Sequence, residues 1–166
     1  MRFEPVIEMP CLVTGLWKRF GVHLFEGVVT VADMEELERR GAVWRDKLGG
    51  KLVEMVVIFP SDAKMTSEER AKMTRIIKRW EGARTASATV ILARGLTGSL
   101  HRSVLTGMQM LVPAPHPVKV FGAISDAVWW LTPHVRALCG PEASFQALDE
   151  GVAELAARFA ARPRES

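Results

Sequence analysis

The sequence predicts an α/β domain: a mixed sheet of about five strands in the order ββαβαβαβα, packed helices, and a further helix at the C-terminus. Three observations carry that prediction. Two Val- and Ile-containing runs are apolar at nearly every position, as strands covered by helices on both faces must be. Between the strand-like runs stand apolar stripes at helical spacing that open on capping residues. Ahead of them, two strand-like runs follow each other so closely that only an antiparallel hairpin can join them.

After a lead punctuated by Pro5 and Pro10, residues 11–18 (CLVTGLWK) and 22–29 (VHLFEGVV) read as strands. Arg19, Phe20 and Gly21 would close the hairpin, with Gly21 free to take positive φ. Thr30 with Asp33 forms a variant capping box, and Met34, Leu37, Gly41, Trp44 and Leu48 then repeat at helical spacing until Gly49 and Gly50 end the helix. Residues 51–60 (KLVEMVVIFP) read as a central strand. Thr66 and Glu69 form a full capping box for a second helix, whose stripe is Met73, Ile76, Ile77 and Trp80. Residues 86–93 (ASATVILA) make another interior strand, and residues 98–112 a helix with Leu100, Val104, Met108 and Leu111 on one side.

A proline cluster at 113–117 precedes a short strand over 118–121 (VKVF). Ser125 is placed to cap the helix SDAVWWL, which Pro133 interrupts or restarts, and Gly140 with Pro141 marks the next break. In the last helix Phe145, Leu148, Val152, Leu155 and Phe159 fall on one stripe, and the final RPRES frays. Strand–helix–strand connections of these lengths favour right-handed parallel crossovers, so the interior strands should be parallel beside an antiparallel hairpin.

The 166 residues suit one domain, 1–166, since a chain of this length buries roughly 70% of its extended surface on folding. Hydrophobic content of 48% and charged content of 25% exclude disorder. A net charge of +3, with acidic and basic residues interspersed, argues against a nucleic-acid binder. Cys11 and Cys139 follow no metal-ligand or redox spacing and read as reduced thiols of a cytoplasmic protein. The start lacks the apolar stretch of a signal peptide, and no run is long and apolar enough to span a bilayer.

The strand order, with VKVF followed by the helix SDAVWWL, resembles the STAS-like fold of bacterial anti-sigma-factor antagonists over about 11–131, leaving 132–162 as a helical extension. The resemblance implies a module that acts by binding partners, and regulatory members are switched by phosphorylation of a Ser or Thr near the start of the helix after a central strand. The matching stretch here, PSDAKMTSEER, offers Ser61, Thr66 and Ser67 but lacks the Asp-Ser-Ser-Gly-like turn. Thr66 therefore reads first as a plain N-cap.

Residues 94–103 (RGLTGSLHRS) make the one candidate anion site, where a strand enters a Gly-containing turn and a helix start whose free N–H groups and dipole suit a phosphate or carboxylate. Arg94, Gly95, Thr97, Gly98, Ser99, His101 and Arg102 would line it. Ser61 and Asp62 would face the same edge of the parallel strands, with Ser125 and Asp126 nearby. The alternative reading gives Gly95 to the turn, Thr97 or Ser99 to the cap and Arg102 to solvent.

His23, His101, His116 and His134 sit on separate elements without a metal-binding interval, and no catalytic motif is present. No cofactor or metal is expected. Lys72, Arg75, Lys78 and Arg79 give the second helix a basic side, read as a solvated face with a Glu68–Lys72 ion pair. Leu105, Met108, Met110 and Val112 extend the apolar surface of the helix over 98–112. Trp129 and Trp130 point about 100° apart, so one can pack inward while the other anchors a partner. The leading expectation is a non-enzymatic STAS-like interaction or regulatory module, as a homodimer or with a protein partner. The other is a small-anion-binding domain, conceivably an enzyme, that uses the turn at 94–103.

Overall fold

The computed structural model describes residues 1–27, 29–61, 65–92 and 114–162. Within them six strands lie side by side in chain order: β1 (Glu4–Met9), β2 (Leu12–Trp17), β3 (Phe20–Phe25), β4 (Leu52–Ile58), β5 (Arg84–Ile91) and β6 (Val118–Phe121). β1, β2 and β3 form an antiparallel meander, and β3 to β6 run parallel. Four helices accompany them: α1 (Val31–Leu48), α2 (Ser67–Trp80), α3 (Ile124–Cys139) and α4 (Phe145–Ala160). This is the expected α/β architecture, a parallel set beside an antiparallel hairpin, with a helix at the C-terminus. The predicted helix over 98–112 lies outside the described residues.

The strand beyond the predicted five is β1, which forms from the proline-punctuated lead. Pro5 has no N–H to give to a ladder, and the register shifts between Pro5 and Ile7, both tolerable because β1 is an edge strand. Ile7 and Met9 still reach the core. The hairpin also turns earlier than expected. Lys18 takes the left-handed conformation, with φ of 51°, while Gly21 lies inside β3 opposite Leu16. Phe20 pairs with Trp17 and is buried on the same face as Val22 and Leu24, so the strand begins at Phe20 and the turn must fall before it.

Alternation along the strands divides the core in two. On one face Phe20, Val22 and Leu24, Val53, Met55 and Val57, and Ala86, Ala88 and Val90 meet Val128, Leu131 and Val135 of α3 and Leu148, Val152 and Leu155 of α4. On the other, Ile7, Leu12 and Leu52 meet Met34, Leu37 and Trp44 of α1 and Ile76 and Trp80 of α2. Burial of each such side chain contributes roughly 1.5–3 kcal/mol.

The helix caps follow the sequence. Thr30 with Asp33 and Thr66 with Glu69 each form a reciprocal capping box, and Gly49 ends α1 in the left-handed conformation. α3 departs from expectation: it starts at Ile124 with Ala123 as an N-cap that makes no side-chain bond, so Ser125 lies within the helix. It also runs through Pro133 without a break. Val128, Leu131 and Val135 are buried on both sides of the proline, and that packing offsets the lost backbone bond. Two stripe residues prove exposed, Ile77 at 47% and Phe145 at 39%. Among the described residues no helix is long and apolar enough to cross a membrane.

The basic side of α2 is engaged by α1. Lys72 reaches Glu38 at 2.8 Å and Glu35 at 3.8 Å, and Arg79 meets Glu38 at 2.9 Å, so Lys72 serves an interhelical contact instead of the predicted pair with Glu68. The two helices approach over Gly41, where an added Cβ would lie 2.5 Å from two ring atoms of Trp80. That ring is also held edge-on against Trp44 at 6.0 Å. Gly41→Ala is expected to lower stability by about 1 kcal/mol, because the overpacking penalty exceeds alanine's gain in helix propensity. Urea denaturation measures it, and an unchanged or higher midpoint contradicts this packing.

Candidate functional site

A chain of polar side chains crosses the sheet on the face that α1 and α2 cover. Thr14 of β2 and His23 of β3 are direct partners across the strands, and the Thr14 hydroxyl meets His23 Nδ1 at 2.9 Å. His23 Nε2 lies 3.2 Å from Glu54 Oε1 on β4. Glu54 Oε2 lies 2.5 Å from Arg84 Nε on β5. His23 Nε2 and Arg84 Nε face Glu54 without good hydrogen-bond alignment, so these are charge and dipole contacts first. The Arg84 guanidinium donates again to Glu54 Oε1 at 3.3 Å and to the carbonyl of Ile77 at 3.2 Å. Trp80 lies beside His23, ring centres 6.4 Å apart.

Burial pushes the Glu54 carboxyl up, but Arg84 and His23 outweigh it and hold the group down at about 2. A hydroxyl, an imidazole and a carboxylate in sequence have the spacing of a nucleophile, its base and an orienting acid. Exposures of 0% for Thr14, 3% for His23 and 4% for Glu54 deny any substrate a route to them. The chain is scaffolding. Sequence reasoning passes over it because the four residues come from four strands; the available signal was Glu54, a lone charge inside a run otherwise apolar on both faces.

Beside it, Ser87 Oγ and His116 Nε2 are 3.0 Å apart. Burial, with Arg84 adding to it, lowers the His116 pKa from its ordinary value and so favours the uncharged ring beside the Ser87 hydroxyl. With the Ser87 N–H donating to the carbonyl of Pro117 at 2.9 Å, the contact ties the entry of β6 to β5. Neither thiol is activated: burial, then Asp33, pushes Cys11 up to about 11, and burial raises Cys139. Both are free thiols, Cys11 buried and Cys139 half-buried. No group of three His, Cys, Asp or Glu able to hold a metal occurs among the described residues.

Arg94, Gly95, Thr97, Gly98, Ser99, His101 and Arg102 of the candidate anion site, with Asp62, lie outside the described residues, as do Leu105, Met108, Met110 and Val112. Ser61 follows the C-terminal end of β4, and Ser125 and Asp126 open α3 just after β6. Thr66 is the N-cap of α2, and Ser67 is its exposed first residue.

The two tryptophans part as their 100° separation requires. Trp130 packs against Phe121 at 5.8 Å and His134 at 5.3 Å. Trp129 stands 69% exposed. It borders a groove of about 440 Å³ at the α3–α4 junction, lined by Trp129, Trp130, Thr132, Pro133, His134 and Phe145. No Asp, Glu, Lys or Arg occurs among these lining residues.

Two outcomes follow from the polar chain. The Glu54 carboxyl sits at about 2 when folded against an ordinary 4.5, so its contribution is complete above pH 4.5 and is lost as pH falls toward 2. Urea midpoints measured across that range should fall for the parent protein and fall less for Glu54→Gln. Glu54→Gln should itself cost roughly 3–5 kcal/mol at neutral pH, because it strands the Arg84 charge, and pairing Glu54→Met with Arg84→Met should recover much of that loss. Parallel pH profiles for the parent and Glu54→Gln would contradict this account.

Compared with known protein families, with curated proteins and with solved structures, the chain matches none.

Proposed function

We propose that this chain is a STAS-like protein-interaction module whose contact surface is the aromatic groove at the α3–α4 junction. The observation that carries the reading is Trp129, 69% exposed beside a groove whose described lining residues include no Asp, Glu, Lys or Arg. An indole held in water on a rigid helix keeps its apolar surface available for burial by a partner, and tryptophan is enriched among the residues that dominate binding energy. The order of elements from β2 to α3, with a short last strand leading into a helix, supports the STAS-like assignment and with it a role in binding. The described lining residues of the groove include no Asp, Glu, Lys or Arg, and the thiols are not activated. Those features support binding over catalysis at this place.

Panning a library of random short peptides on the immobilised protein tests the proposal. Enrichment is expected on the parent protein and not on Trp129→Ala, whose stability should stay within about 0.5 kcal/mol of the parent because the removed ring is at the surface. Equal recovery on the two proteins would overturn it.

A further inference from the structure

We draw no further inference here: the strongest candidate, the groove beside Trp129 at the α3–α4 junction, carries nothing beyond the interaction reading already given, because nothing in the structure shows what covers it.

Discussion

Glu54 is a carboxylate with almost no access to water, placed in one of the two central strands of the sheet. Removing such a charge from water costs several kcal/mol, and only close partners offset it. Those partners come from the strands on either side, His23 from β3 and Arg84 from β5, with Thr14 of β2 completing the chain. Because alternate residues point to opposite faces, a slip of one residue in any of these strands would turn its polar group away and leave Glu54 unpaired. The apolar residues on the same strands, Val53, Met55 and Val57 among them, would tolerate a slip far better, since one buried aliphatic face resembles another. The polar chain therefore specifies the register that the apolar residues stabilise.

The covering helices answer to the same constraint. Trp80, at the end of α2, lies beside His23, and Ile77 one turn earlier gives its carbonyl to Arg84, so the polar chain fixes where α2 ends. Trp80 in turn needs the absence of a side chain at Gly41, which sets how closely α1 and α2 pack. The opposite face carries no comparable polar chain among the described residues. There α3 and α4 lie on an apolar surface in which Ala86 and Ala88 of β5 leave room for close packing. Free of any polar partner to satisfy, α3 needs only one stripe for the core and can keep Trp129 outside. One face of the sheet thus encodes register, and the helices on the other carry the surface proposed for binding.

Features that depend on neighbours in sequence were legible before any coordinates. Thr30 with Asp33, Thr66 with Glu69, and Gly49 act through backbone groups a few residues away, and all three serve as helix ends. Ser144, the N-cap of α4, is a further such end that the sequence reading passed over. The β4 and β5 runs were legible because burial on both faces leaves a continuous apolar imprint. Features that depend on distant residues were not. β1 carries two prolines nearby and a weak alternation, and becomes a strand only because β2 offers it an edge. The turn at Lys18 instead of Gly21 follows from where Phe20 finds its cavity, a tertiary fact. Ile77 and Phe145 fit helical stripes by spacing, yet stand at positions that nothing covers fully. The separate fates of Trp129 and Trp130 were implied by helix geometry, but which one packs inward is decided by Phe121 on β6.

The central claim is that the Thr14–His23–Glu54–Arg84 chain is sealed scaffolding. Carbethoxylation of histidines by diethylpyrocarbonate, mapped by mass spectrometry under native conditions, tests it most directly. The account predicts that half-buried His134, in the groove, is modified while His23, 3% exposed, stays intact until the protein is unfolded. Modification of His23 in the native protein at a rate comparable to that of His134 would contradict it.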